Sequence, residues 1–284
     1  TYDYFTKPLS QEDLEKVLPL KIKNAVTARR LMVETRRQNE LLRRELEMAA
    51  RYQKFLLPRG LEYPGVAVDF LFEPCTGVGG DYFDFMRLGD DCLALVVADV
   101  SGHGVASAMT ASIVKALLPG YLESSLSPAA AFARLNQDLL RLTPDDVFLT
   151  AFAALYQPGR RRLVWCSAGH PPPLYRRAEG GMESLEMASP FLGAFEQDNP
   201  IMGLADRELP VGPGDRLALY TDGLTEAPDG QGRQFGLERL RGLLARHGSA
   251  SREELRRRVW QALEHFVHGE FPDDVAFIVV DFES

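Results

Sequence analysis

The chain has 284 residues, 45% of them hydrophobic and 25% charged, with a formal net charge of −8. These values fit one large folded domain or two smaller ones, and no apolar run reaches the roughly 18–20 residues that a membrane span needs. Three well-separated cysteines, Cys75, Cys92 and Cys166, argue against a disulfide framework or a Cys-x-x-Cys metal site and predict a cytoplasmic protein.

The opening "TYDYFTKPLS" lacks the basic start and apolar core of a secretory signal. "YDYFTKP" resembles the end of the last strand of a response-regulator receiver domain, with Lys7 and Pro8 as the pair that follows that strand. "LSQEDLEKVL" then resembles the final receiver helix. This resemblance implies that residues 1–20 are the C-terminal remnant of a receiver domain.

Residues 11–57 predict a helix. They contain no Gly, their single Pro is Pro19, and good helix formers dominate. A heptad runs through Leu14, Leu18, Lys21, Ala25, Ala28, Met32, Thr35, Asn39, Leu42, Leu46, Ala49, Gln53 and Leu56. Nine of these thirteen positions are apolar, which predicts a coiled-coil linker over residues 21–58 and a parallel homodimer. A single amphipathic helix lying on the body is the alternative. Residues 11–58 hold eleven Lys/Arg and seven Asp/Glu, whereas residues 59–284 hold twenty and thirty-two. So acidic a body repels phosphate backbones and excludes nucleic acid as a partner.

From Gly65 the pattern changes to short strands. "VAVDFLFEP", "DYFDFMRL" and "CLALVVADV" read as three of them. Apolar residues at helical spacing run from Val105 to Leu118, and "SPAAAFARLNQDLLRL" is a second helix with Ser127 as its N-cap. "VFLTAFAALYQPGRRRLVWCSAG" predicts a hairpin turning at Pro158-Gly159, and "DRLALYTDG" another strand. Two helices, "GLERLRGLLARH" and "SREELRRRVWQALEHFV", precede a closing strand, "VAFIVVDF". Strands in runs and helices in runs predict an α+β sandwich rather than alternating βαβ units.

Several aspartates sit where these strands meet solvent, beside Gly or Pro. Asp81 starts a strand in "GVGGDYFDF", Asp99 ends "LALVVAD", Asp222 ends "RLALYTD", and Asp273 and Asp274 precede "VAFIVV". Alone, each reads most simply as a turn residue. If the strands are neighbours, the carboxylates converge, and oxygen donors without histidine suit Mg²⁺ or Mn²⁺. A pair of such ions acidifies a water for in-line attack on phosphorus.

"VGGDYFDF", "ADVSGHGVASAM", "CSAGHPPPLY", "YTDGLTEAPDGQGRQFGLERL" and "DDVAFIVV" resemble, in order, the motifs of PPM-type (protein phosphatase 2C-like) serine/threonine phosphatases of the SpoIIE/RsbU branch. The resemblance covers roughly residues 50–283. It implies an αββα sandwich of two antiparallel sheets flanked by helices, forming a phosphatase domain over residues 59–284, with two Mn²⁺ or Mg²⁺ ions at one end. By that resemblance Asp81, Asp99, the backbone carbonyl of Val100, Asp222 and Asp273 are the metal ligands, with Asp273 preferred over Asp274. A metal-activated water would attack phosphorus directly. The implied substrate is a phosphorylated anti-sigma-factor antagonist in a partner-switching pathway, under control of the receiver domain. His103 either donates a proton to the leaving serine oxygen or buttresses its loop. His170 is expected to fix the triple-proline loop, and Ser167 stands where the family has Asn. Gln53, Leu56 and Leu57, where helix meets body, are the expected regulatory coupling points.

Other signatures fail on particular residues. "GGDYF" has Tyr82 where a diguanylate cyclase needs Glu, "SGHG" lacks the P-loop lysine, and no G-x-S-x-G elbow is present. The serious rival is a non-catalytic or switched-off module of the same fold, used to hold a partner.

Overall fold

The computed structural model describes residues 11, 13–58, 63–75, 77–89, 91–196, 199 and 203–283. The strand and Lys-Pro pair of the expected receiver remnant lie outside these residues. The chain divides into two compact units, residues 1–49 and 50–284.

A π-helical turn, Asp13–Val17, leads into α1, Leu18–Leu56. Pro19 falls in the first turn of α1, where a missing N–H breaks no bond. Arg36–Glu40 and Arg43–Glu47 pair one turn apart at 3.3 and 2.9 Å, each worth a few tenths of a kcal/mol. None of the 39 residues of α1 is buried. Met32 and Leu42 of the heptad are exposed, as are Leu31 and Met48 beside it.

The second unit is a sandwich of two antiparallel sheets. Its strands are β1 (Val66–Glu73), β2 (Tyr82–Arg87), β3 (Leu93–Val100), β4 (Leu149–Gln157), β5 (Arg162–Ala168), β6 (Leu174–Arg176), β7 (Met182–Ser184), β8 (Arg207–Pro210), β9 (Arg216–Tyr220) and β10 (Val275–Phe282). One sheet has the order β1-β10-β9-β6-β7 and the other β2-β3-β4-β5-β8. The helices α2 (Val105–Ser125) and α3 (Pro128–Leu142) cover the second sheet. A short α4 (Asp222–Thr225) follows β9, and α5 (Leu237–His247) and α6 (Arg252–Phe266) cover the first sheet. This is the expected αββα sandwich.

Because both faces of each sheet are covered, the central strands are apolar throughout. On β3, Leu93, Leu95 and Val97 face the other sheet, while Ala94, Val96 and Ala98 face α2 and α3. Phe83 and Phe152 are wholly buried between the sheets, each contributing roughly 1.5–3 kcal/mol. Ser127 caps α3, accepting the Ala130 amide at 3.1 Å, and the hairpin turns over Pro158–Arg160.

Two expectations need correction. The helix begun at Val105 does not stop at Leu118; it runs through Pro119 to Ser125 and ends on Leu126, in the left-handed region with φ 48°. Its 21 residues are thus long and apolar enough, by composition, to cross a membrane. Six of them, including Val114, Leu118 and Leu122, are instead buried in the body. The short strands β6, β7 and β8 carry too few residues for a period-2 pattern and were not foreseen.

Candidate metal centre

The antiparallel registers bring the aspartates to one end of the sandwich. Tyr82 pairs with Ala98, so Asp81, one residue before β2 proper, lies opposite the end of β3 at Asp99. Asp99 continues the inter-sheet face of Leu93, Leu95 and Val97. In the other sheet Phe277 pairs with Tyr220, so Asp222 after β9 and Asp273 before β10 meet at the same end. Two hydrogen bonds join the sheets there. The Thr221 hydroxyl donates to Asp81 Oδ2 at 2.7 Å, and the Gly80 amide donates to Asp274 Oδ2 at 2.6 Å.

Glycine is required where the backbones approach. A Cβ at Gly80 would lie 2.7 Å from the Val100 carbonyl oxygen and 2.9 Å from Ser107 Cβ at the start of α2. A Cβ at Gly223 would collide with the carbonyl of Asp274. The motif glycines thus let three segments close on one point.

Burial, then the neighbouring Asp99, push the Asp81 carboxyl well above the usual range. Burial, then Asp222, Asp273 and Asp274, push Asp99 up to about 7, against a hydrogen bond with Asp81 that holds it down. Asp222 is raised by burial and by Asp273. Asp273 is raised chiefly by burial, with the hydrogen bond from the Asp274 amide acting the other way. Among the described residues no lysine or arginine forms an ion pair with any of these carboxylates. Oxygen donors that repel one another and pair with no lysine or arginine among the described residues are a donor set for hard divalent cations.

The two aspartates of the DD pair differ. Asp274 is buried, and its oxygens accept the Cys75 amide at 2.9 Å and the Gly80 amide at 2.6 Å. Asp273 is half-buried and accepts only the Asp274 amide, at 2.8 Å, among the described contacts. Asp274 thus pins the loop, whereas Asp273 spends one oxygen on a neighbouring amide. The thiol of Cys75 lies beside both, with the ligand atoms of the three residues within 4.8 Å of one another.

His170 is buried, with Nδ1 3.0 Å from the Thr150 hydroxyl and Nε2 3.1 Å from the Tyr220 carbonyl. A carbonyl only accepts, so Nε2 donates and Nδ1 accepts from Thr150. Burial pushes its pKa down to about 3, and the neutral ring holds its loop as expected. Gln53 clamps Gly79: its Nε2 donates to the Gly79 carbonyl at 2.6 Å, and the Gly79 amide donates to Oε1 at 2.9 Å. Leu57 packs against the inter-sheet core, while Leu56 is 36% exposed. Sequence reasoning missed Thr221 and the pinning role of Asp274, because hydrogen bonds between distant segments leave no local pattern.

Residues 89–283 match the family Stage II sporulation protein E (SpoIIE). The chain belongs to the SpoIIE family. It is 27% identical over 244 residues to phosphoserine phosphatase RsbP of Bacillus subtilis (strain 168), covering 84% of this chain and 58% of RsbP. It is 27% identical over 245 residues to phosphoserine phosphatase RsbU of the same organism, covering 84% of this chain and 70% of RsbU. The chain thus spans only part of its curated relatives. Among solved structures, the SiaA-PP2C domain of Pseudomonas aeruginosa shares the fold with a TM-score of 0.77 at 22% identity, over 87% of this chain and 99% of that one. RsbX, solved in complex with magnesium, shares it with a TM-score of 0.59 at 19% identity, over 78% and 98%.

Proposed function

We propose that this SpoIIE-family chain is a metal-dependent protein-serine/threonine phosphatase. The observation that carries the reading is the meeting of Asp81, Asp99, Asp222 and Asp273 at one end of the sandwich without a cationic partner among the described residues. These four carboxylates, with the Val100 carbonyl, would hold two Mn²⁺ or Mg²⁺ ions. Bound there, the ions would supply an acidified water for direct attack on phosphorus and would offset charge on the phosphoryl oxygens. Thr221 orients Asp81, and Asp274 holds the Gly79-Gly80 loop against β10. In this reading His103, exposed on the loop that follows Asp99, would give a proton to the leaving serine oxygen.

The identity to RsbP and RsbU, both named phosphoserine phosphatases, supports a phosphoserine protein as substrate. Together with the motif resemblance it favours a phosphorylated anti-sigma-factor antagonist in a cytoplasmic partner-switching pathway. In this reading residues 1–20 are the remnant of a receiver domain, residues 21–58 pair two copies, and residues 59–284 do the chemistry. Gln53 and Leu57, which touch the sandwich, carry the state of the linker to the Gly79-Gly80-Asp81 segment, with Leu56 beside them.

The test is hydrolysis of p-nitrophenyl phosphate with Mn²⁺, with EDTA, and by Asp99→Asn. Metal-dependent turnover lost to EDTA and to the substitution is the expected result. A well-folded wild type inert at millimolar Mn²⁺ would favour a switched-off or purely binding module.

A further inference from the structure

Beyond residue 62, the large hydrophobic side chains that are exposed among the described residues are Val105, Met109, Leu126, Leu142 and Phe148. Three of the five belong to segments that adjoin the loop after Asp99. Val105 and Met109, 47% and 66% exposed, share one face of the first turns of α2, directly after the loop of Asp99 and His103. Phe148, 38% exposed, lies beside the same loop: Ser101 donates its amide to the Phe148 carbonyl at 2.9 Å, and the Phe148 amide donates to Ser101 Oγ at 3.1 Å. Its ring is backed by Phe191 at 4.4 Å between centroids, and Phe191 by Phe195 at 5.6 Å. Phe148 is thus a supported rim residue rather than a loose side chain.

Resting on the phosphatase reading of the adjoining site, we propose that Val105, Met109 and Phe148 form a docking rim for the phosphoprotein substrate. The rim grips apolar side chains that flank the phosphoserine. Continuity is the first argument, because the loop that follows Asp99 runs directly into the first turn of α2 and is hydrogen-bonded to Phe148. Size is the second. The three side chains together expose on the order of 300 Å², the scale of a small contact and far short of the roughly 1,600 Å² of a stable dimer. Charge is the third. Residues 59–284 carry thirty-two acidic against twenty basic side chains, so a phosphorylated partner approaches against repulsion. Apolar contact is an attraction that this field does not oppose.

The experiment compares three substrates with Mn²⁺: p-nitrophenyl phosphate, a phosphoserine nonapeptide with Leu and Val flanks, and one with Ser and Gln flanks. Wild type is expected to favour the apolar peptide at least tenfold in kcat/KM. Met109→Ser, and Met109→Ser combined with Phe148→Ser, are expected to erase that preference through KM, read relative to p-nitrophenyl phosphate in the same preparation. The single variant changes the most exposed of the three side chains, so it guards against misfolding of the double. No preference in wild type, or a preference retained in both variants, overturns the proposal. So does a retained preference with a fall in solution mass, which would assign the rim to a second copy. A wild type inert on all three substrates removes the phosphatase reading and the rim with it. An active wild type whose variants lose all substrates alike removes the rim alone.

Discussion

Thr221 and Asp81 tie the two sheets together at the metal end. The Thr221 hydroxyl donates to Asp81 Oδ2 at 2.7 Å and accepts the Ala276 amide at 3.0 Å. One side chain thereby joins the end of β9, the start of β10 and the loop before β2. Thr221→Val keeps the shape and removes both bonds. It leaves a buried carboxylate without its donor and a buried amide without its acceptor, at a cost of roughly 1–3 kcal/mol. The expected outcome is a lower melting temperature and a higher Mn²⁺ requirement, with both restored in Thr221→Ser. A Mn²⁺ titration and melts of the three proteins check it.

The carboxylate cluster makes the metal-free protein sensitive to rising pH. In the fold Asp99 titrates near 7, against an ordinary value of 3.8, and Asp81, Asp222 and Asp273 are displaced in the same direction. Between those values the folded chain binds more protons than the unfolded one. The contribution of Asp99 is therefore full below its unfolded pKa and is lost as pH rises through 7. In EDTA the melting temperature of wild type should fall between pH 5.5 and 8. Asp99→Asn should fall less and should melt higher than wild type at pH 8. Mn²⁺ should reverse the trend in wild type only. A flat wild-type profile in EDTA would mean that the carboxylates do not repel one another as described.

Gln53 makes both of its bonds to the backbone of Gly79, two residues before Asp81. Gln53→Ala frees that loop without touching a carboxylate. At limiting Mn²⁺, turnover of p-nitrophenyl phosphate should fall at least tenfold and recover in part at saturating Mn²⁺. A loss independent of metal concentration would place Gln53 outside the path to the site.

The exposed apolar side chains of α1 predict self-association. Leu42→Asp with Leu46→Asp puts two charges on one heptad stripe and should halve the mass in solution, read by sedimentation. An unchanged mass would remove the coiled-coil dimer.

The long helix, most strands of the sandwich and the four flanking helices were legible in the sequence, because each carries its own periodicity or cap. Ser127 announces α3, and the breaker-free run from Lys21 to Leu57 announces α1. The end of α2 was not legible. Pro119 signals a stop locally, yet burial of Leu122 in the body carries the helix past it. β6, β7 and β8 are held by their neighbours in the sheets rather than by their own residues.

The same division holds at the metal centre. The sequence by itself determined the residue types: aspartates at strand ends, three of them next to glycine or proline, in motif order. Only the tertiary structure decided how they are used. Asp274 spends its oxygens on the amides of Cys75 and Gly80, whereas Asp273 accepts only the Asp274 amide among the described contacts. His170 becomes a buried neutral brace because Thr150 and the Tyr220 carbonyl close on it. Gln53 becomes a clamp on the sandwich because Gly79 offers it both a donor and an acceptor. A carboxylate's pKa and a side chain's partner depend on groups brought close by folding from up to two hundred residues away, and no local pattern records that distance.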